Sequence, residues 1–568
     1  MTLAAPVEWV AAPVPEAAAG LERAGQPPWL AVLLARRGVS QPEDADRFLR
    51  PSLDQLHDPY LLAGMEESVV RLLAARERGE RVAIVGDYDV DGISATAQLL
   101  AVFTACGLEA KAILPNRLRE GYGFQPVHVE KAREMGCQLI VTADCGSSSA
   151  EAVEEALAAG IGVIVTDHHL PGCELPVETL HINPRQPHCN YPFRDLAAAG
   201  LALKLSLALA ARCGRTLDPA ALLRIACLGT ITDLVPLRGE NRVIAALGLT
   251  ALAEARSQGL KALIQQSGMK PPYTAADVGF RIGPRINAAG RLHEPERALE
   301  LLMSRDPRRA AELASELDGW NRERQATESR VVEEARQQFA ARSPLPAILV
   351  AWSESWHKGV VGIAAGRVAK DLNRPVVLLA VDGDTATGSG RSIPGIELHS
   401  FLAAWNERME RFGGHSQAIG LTIAVERLEE LRGEWEAAGE GWPAELLARR
   451  FEYELHLRAR EISNGLVTQL AALEPFGQGN PRPLVRTGPL KLDGAPRMFG
   501  NGHLSARARG DDGAAVDLVG WRWQERAGSL AGRVEVLACV EHDSYRGGPV
   551  LRLVDSRPAD EEPGLNNP

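Results

Sequence analysis

Residues 86–92 read "GDYDVDG", with Asp87, Asp89 and Asp91 at alternate positions behind the apolar run Val82-Ala83-Ile84-Val85. Carboxylates packed this closely repel one another unless a positive charge holds them. Further apolar runs end the same way: "LIVTADCG" in Asp144, "VIVTDHHLPG" in Asp167, His168 and His169, and "GTITDLVPL" in Asp233. A single Asp behind a strand is an ordinary loop or helix-capping residue. Four such acidic ends with two adjacent histidines go beyond what capping requires. Carboxylates are hard oxygen ligands that select Mg2+ or Mn2+, and imidazole shifts the preference towards Mn2+. The acids exceed what one ion needs. Two ions about 3.5–4 Å apart would neutralise them, generate a hydroxide nucleophile and clamp the attacking and leaving oxygens of a phosphoester. The expected chemistry is two-metal hydrolysis of phosphate esters.

The hydrophobic pattern indicates the elements that position these groups. From about residue 76 to 245, short β-branched runs such as "RVAIVG", "QLIVTADCG" and "GVIVTDHH" alternate with helical stretches, the signature of a parallel α/β sheet. Ligand sites in such sheets form at the carboxyl ends of the strands, and all four acidic segments, Asp233 included, are read as strand ends. Residues 246–345 have helical periodicity and culminate in "DGWNRERQATESRVVEEARQQFAARS", whose i,i+4 charges suit a long exposed connecting helix. A second α/β unit spans 346–458. Alternating segments "HLSARARG", "AAVDLVGWRW" and "RVEVLACVEH" predict a small antiparallel β-barrel over 459–560. Residues 1–75 read as an Ala- and Pro-rich leader with a helical lobe, and the polar 561–568 as a disordered tail.

At 568 residues the chain exceeds one ordinary core, and 45% hydrophobic with 24% charged residues fits a soluble multidomain protein. No apolar run approaches the roughly 20 residues of a membrane span, and "MTLAAPVEWVAAPVPEAAAG" has no basic segment before an apolar one, so a cytoplasmic location is expected. The eight cysteines show no C-x-x-C spacing and read as reduced, mostly buried thiols. A net charge of −11 has the wrong sign for non-specific coating of nucleic acid. A polyanionic substrate therefore requires basic residues gathered in a groove.

Such residues do gather. "NRLREGYGF" offers Arg117 and Tyr122 to grip a phosphate and stack a base, or is a polar surface turn. "RIGPRINAAGR" places Arg281, Arg285, Asn287 and Arg291 within eleven positions, for phosphate contact or for structural salt bridging. "GSGRSIPG" sets Ser389 and Arg391 among glycines, which reads as a flexible phosphate nest. In "FGGHSQAIG", His415 is a phosphate contact or a buried structural histidine. Trp521 and Trp523, two apart in "GWRW", are read as sharing one face of a barrel strand, for core packing or base stacking.

The ordered segments "DYDVDG", "TADCGSSS", "VTDHH" and "TITDLVP" resemble the DHH phosphoesterase superfamily, and "GSGRS" with "FGGHSQAIG" resembles its DHHA1 companion domain. "RIGPRINAAGRL", "EPFGQGNPRP" and the terminal barrel resemble the branch of bacterial exonucleases specific for single-stranded DNA, and the likeness runs over about residues 60–560. It implies an α/β fold in which a parallel-sheet DHH lobe and a DHHA1 lobe are joined by a long helix and followed by an OB-fold barrel. It also implies 5′→3′ degradation of single-stranded DNA to mononucleotides with two Mg2+ or Mn2+ ions, in DNA repair and recombination. Carried over by motif, Asp89, Asp91, Asp144, His168 and Asp233 are the metal ligands, with Asp144 and Asp233 suited to bridging. Asp87 is a ligand or an electrostatic neighbour, Asp167 orients an imidazole, and His169 touches the scissile phosphate or a metal-held water. Where other members have a histidine four residues before the first ligand Asp, this chain has Val85, which leaves Asp87 to compensate. The likeness further implies cooperation with a single-strand-binding protein and a helicase, and a monomer is expected. Two other functions compete. An oligonucleotide or cyclic-dinucleotide phosphodiesterase would share the DHH–DHHA1 core without the barrel. A non-catalytic DNA-binding scaffold is opposed by the intact acids and both histidines.

Overall fold

The computed structural model describes residues 7–116, 120–121, 123–543 and 547–559. Arg117, Tyr122 and the tail 561–568 lie outside the described residues. Among those described, no helix is long and apolar enough to cross a membrane, and all eight cysteines are free.

The first lobe is built on five parallel strands in the order Glu109–Ile113, Arg81–Gly86, Leu139–Ala143, Gly162–Thr166, Leu180–Ile182. Its central strands are continuous Val/Ile/Leu runs because both faces are covered. Val82 and Ile84 face a core shared with the helices Val90–Ala105 and Ala198–Arg212. Ala83 and Val85 face the opposite core, with the helices Pro126–Glu134 and Ala150–Ala158. Val85 is thus a fully buried packing residue.

Asp233 does not follow a strand. Pro219–Thr232 is a single helix with Asp233 at its C-cap. Asp218 caps its start by accepting from Ala220 N at 3.0 Å, and Pro219 sits at its first position. Burial against the Val90–Ala105 and Gly239–Leu252 helices then overrides the strand preference of the β-branched "TIT".

The connector is helical throughout its ordered elements and ends in Pro307–Ala340, 34 residues long. At 1.5 Å per residue it spans roughly 51 Å. It is less exposed than its charge pattern predicts. Leu313 and Leu317 join the first lobe's core, and Val331, Val332 and Phe339 join that of the second lobe.

The second lobe has the sheet order Arg411–His415, Ala418–Ala424, Thr385–Arg391, Val376–Asp382, Leu349–Ser353, parallel only between the last two strands. "GSGR" is therefore part of a regular central strand and not a flexible nest. A Cβ on Gly388 would stand 2.2 Å from the Leu378 carbonyl, so its glycines serve close strand packing.

Five strands of the C-terminal seven-stranded sheet close into a barrel where Leu490–Leu492 pairs with Ala508–Gly510. Trp521 and Trp523 do not share a strand face. The strand Ala515–Gly520 ends before them, and Arg522 takes φ 59°. The chain turns there, so Trp523 packs into the core at 4% exposure while Trp521 stays 53% exposed. Three N-terminal helices, spanning Ala17–Leu49 with their connections, contribute Leu21, Leu33, Leu34 and Phe48 to the barrel's core, and Val7–Ala11 pairs in parallel with Arg449–Tyr453.

Candidate metal centre and the adjoining basic cavity

The four acidic segments converge. Asp89 caps the Val90–Ala105 helix, its Oδ1 accepting from the N–H groups of Asp91 at 2.9 Å and Gly92 at 3.1 Å. Asp91, in the first turn of that helix, is buried and accepts from the N–H groups of Ala198 (2.8 Å) and Ala199 (2.9 Å), the start of the Ala198–Arg212 helix. This is a helix N-terminus holding a carboxylate. Gly229 makes room for it, since a Cβ there would lie 2.3 Å from Asp91 Oδ1. Asp144 has φ 72°, a left-handed conformation uncommon outside glycine. Its N–H donates to Thr166 O at 3.1 Å.

His168 Nε2 lies 3.1 Å from Asp144 Oδ1, 3.5 Å from Asp233 Oδ2 and 3.8 Å from Asp91 Oδ2. Three sets of ligand atoms each gather within 4.8 Å: Asp87/Asp89/Asp144, Asp91/His168/Asp233 and Asp144/His168/His169. Asp144 and His168 each belong to two sets; Asp233 belongs to one. Asp167 faces elsewhere. It accepts from the N–H groups of Ser147 (2.9 Å), His168 (2.8 Å) and His169 (3.1 Å), and its Oδ1 lies 2.7 Å from His169 Nδ1.

Burial, then the charge of Asp89, pushes the Asp91 carboxyl up to about 7. Burial, then Asp91 and Asp89, raises Asp233 to about 9, and Asp144 is raised for the same reasons. Burial and then the neighbouring His169 charge lower His168 to about 3, so its ring is neutral and able to ligate. Burial opposes charging His169, but the hydrogen bond and charge of Asp167 outweigh it and raise the ring to about 9. Burial likewise opposes ionisation of Asp167, and His169 with the backbone donors holds it below the usual range.

A pair of divalent cations fits this donor set. Asp144 Oδ1 and both ring nitrogens of His168 are buried and make no hydrogen bond among the described residues, the 3.1 Å approach of Nε2 to Oδ1 lacking hydrogen-bond geometry. Acids forced towards protonation by their neighbours are relieved by positive charge at the same place.

The basic residues divide. Asn287 Oδ1 accepts from Val90 N at 3.2 Å and so braces the aspartate triplet's helix. Arg285 pairs with Asp318 of the long helix at 2.8 Å and donates to Arg281 O, the salt-bridging alternative. Arg291, Ser389, Arg391 and His415 line one cavity of about 1080 Å³. Ser389 Oγ donates to Ile419 O at 2.8 Å, and Arg391 donates to Gly390 O at 2.8 Å and to Ser389 Oγ. His415 is exposed, which excludes the buried-histidine alternative. Arg291 follows Gly290, whose Cβ position lies 2.5 Å from Tyr88 O in the triplet loop, so one helix abuts the metal centre and the cavity together. Lys358 and Arg411 line the same cavity and were not singled out from the sequence. The available signal for Lys358 was "HKGVVG", a basic residue and glycine just before the helix Val361–Leu372.

Family profiles match in the same order as these elements: the DHH family N-terminal domain over residues 81–230, the DHHA1 domain over 346–438 and the RecJ OB domain over 453–554. The single-stranded-DNA-specific exonuclease RecJ of Dickeya dadantii is 38% identical over 557 residues, covering 93% of this chain and 95% of that protein. The crystal structure of RecJ in complex with Mn2+ from Thermus thermophilus superposes with a TM-score of 0.80 at 31% identity, over 98% of this chain and 80% of that one. The Mg2+ complex from the same organism gives 0.75 at 29% identity, over 98% and 79%.

Proposed function

The chain belongs to the RecJ family of single-stranded-DNA-specific exonucleases, and from that premise we infer that it degrades single-stranded DNA from the 5′ end to mononucleotides by two-metal phosphodiester hydrolysis. The observation that carries this reading is the convergence of Asp91, Asp144 and Asp233 on a buried His168, with Asp87 and Asp89 gathered beside Asp144.

Asp89, Asp91, Asp144, His168 and Asp233 would hold two Mg2+ or Mn2+ ions, with Asp87 available to complete the first site in place of the histidine that Val85 replaces. When bound, the ions supply Lewis acidity and offset charge on the attacking and leaving oxygens. His169, kept protonated by Asp167, donates to a phosphate oxygen next to the centre. Asp167 fixes which ring nitrogen faces away and holds the ring's orientation. Arg391, set by Ser389 and its own strand, receives the terminal 5′ phosphate, with Arg291 and Lys358 adding charge across the cavity. The 5′ end is thereby read by charge and the chain advances by its end. The barrel lengthens the contact with a polymer.

We propose further that it acts in repair and recombination as a cytoplasmic monomer, beside a single-strand-binding protein and a helicase; family membership supports the role and the partners. The test is a Mn2+-dependent assay on 5′-labelled single strands, blunt duplexes and dinucleotides. Release of mononucleotides from the 5′ end of single strands alone supports the reading. Preference for dinucleotides, or no cleavage, overturns it.

A further inference from the structure

The segment "EPFGQGNPRP" stands apart from both the acidic cluster and the basic cavity, yet every part of it is committed. Asn480 is fully buried; its amide donates to Leu473 O at 2.7 Å and Pro475 O at 2.8 Å, and its Oδ1 accepts from Arg37 Nε at 2.6 Å. Gly477 and Asn480 exchange both backbone hydrogen bonds, at 2.9 and 3.1 Å. Arg242, stacked on Phe48, donates to the carbonyls of Ala472, Leu473 and Glu474 just before the turn. A short turn with this many internal bonds is a rigid block.

That block is seated on the loop leaving Asp233. The Leu237 N–H donates to Gln478 O at 2.8 Å, and Arg238 Nε donates to Gly479 O at 2.9 Å. The buried Leu237 side chain lies directly under Gly477, where a Cβ would come 2.7 Å from Leu237 Cδ1. Gly479, at φ 70°, lies against Pro236.

Asp233 has need of such a seat. Asp91 and Asp167 are steadied by backbone N–H donors, whereas no hydrogen bond reaches the Asp233 carboxylate among the described residues. Beyond the His168 ring 3.5 Å away, its place is set by its backbone. On one side Asp233 N donates to Gly229 O at 2.9 Å, closing the helix. On the other, Leu234 turns through φ 60° with its side chain exposed, and the loop is then held by the buried Val235, by Asn241 donating to Pro236 O at 3.2 Å, and by Leu237.

We propose that the Phe476–Asn480 turn at the root of the barrel is a positioning element for the metal centre, clamping the Asp233–Leu237 loop so that Asp233 is held within reach of a cation. The seating of the barrel then sets metal affinity, and Gly477 and Leu237 are positioning residues. The inference rests on Asp233 being a metal ligand.

The test is Mn2+ binding by calorimetry to the full-length chain, with single-strand affinity measured in EDTA and melting temperature measured metal-free. Gly477→Ala meets only Leu237, so it should shift the loop without unfolding the barrel. It is expected to weaken Mn2+ binding at least tenfold, leave single-strand affinity and metal-free melting near wild type, and recover when Leu237→Val restores the space. Arg238→Ala, at an exposed residue, is expected to weaken Mn2+ binding more mildly. Wild-type Mn2+ affinity in Gly477→Ala, with Asp233→Asn impaired, overturns the clamp alone. Unimpaired Mn2+ binding in Asp233→Asn overturns the ligand assignment beneath it. Loss of metal-free stability without rescue by Leu237→Val shows a purely structural turn and also overturns the proposal.

Discussion

His169 Nδ1 lies 2.7 Å from Asp167 Oδ1, so one carboxylate of the acidic cluster is committed to a histidine rather than to a cation. That pairing raises His169 to about 9, and it yields a prediction about pH. Asp167→Asn removes the negative charge, so the ring loses its proton at a lower pH. The alkaline limb of the kcat/KM profile should move towards acid, with activity at pH 8 falling by about 10- to 100-fold, the range for orienting partners of metal-site groups. An unchanged limb with a uniformly lower rate would remove His169 as the donor.

Metal binding should become more stabilising as pH rises. Asp91, at about 7, and Asp233, at about 9, are raised above the unfolded carboxyl value of 3.8. The metal-free fold therefore holds protons that the unfolded chain has released. Their stabilising contribution is present below about pH 4 and is lost progressively as pH climbs through 7 and 9. Cations replace those protons, so the rise in Tm on adding Mn2+ should be larger at pH 8.5 than at pH 6. Equal Tm shifts at both pH values would contradict this origin of the raised carboxyls.

Gly229→Ala places a methyl group 2.3 Å from Asp91 Oδ1 and 2.7 Å from the Ala199 Cβ. Either the Pro219–Thr232 helix shifts and carries Asp233 with it, or Asp91 leaves its two N–H donors. Overpacking of this kind costs about 1–3 kcal/mol. Denaturant unfolding should show that loss, and Mn2+ affinity should fall with it. Wild-type metal affinity would show that the approach is not needed by the ligands.

The cavity predicts end selectivity. A charge-assisted hydrogen bond is worth about 1.5–3 kcal/mol, or roughly 10- to 150-fold in binding. Arg391→Ala should reduce activity on 5′-phosphorylated strands by that order and affect 5′-hydroxyl strands much less. Equal losses on both would mean that Arg391, which also bonds Ser389 and Gly390 O, supports the strand instead of reading the end.

Much of this site is legible in the sequence because a buried parallel strand must be a continuous apolar run, and whatever follows it lies at the sheet's carboxyl edge. That logic locates Asp87, Asp144 and His168 directly. It fails for Asp233, since "TIT" has strand propensity and only burial between helices makes it helical. Arg285 and Arg391 are both arginines among small residues, and spacing cannot distinguish them. What separates them is Asp318, 33 residues beyond Arg285 and brought to it by the long helix. The "GSGR" glycines look like a nest because sequence does not show the Leu378 carbonyl that excludes a side chain at Gly388. Trp521 and Trp523 part company through a single residue, Arg522, whose positive φ has no sequence signature.

Asp144 belongs to two of the three ligand groups and is the residue through which a dinuclear centre would be joined. The most direct measurement is Asp144→Ala, with Mn2+ stoichiometry, nuclease rate and single-strand affinity determined on one preparation. A dinuclear centre joined by Asp144 binds two ions in the wild type and fewer in the variant. Cleavage should fall by more than about 100-fold, since even the outer partners of metal ligands are worth about 10- to 100-fold, and single-strand binding should be retained. Wild-type turnover in Mn2+ by Asp144→Ala would contradict it.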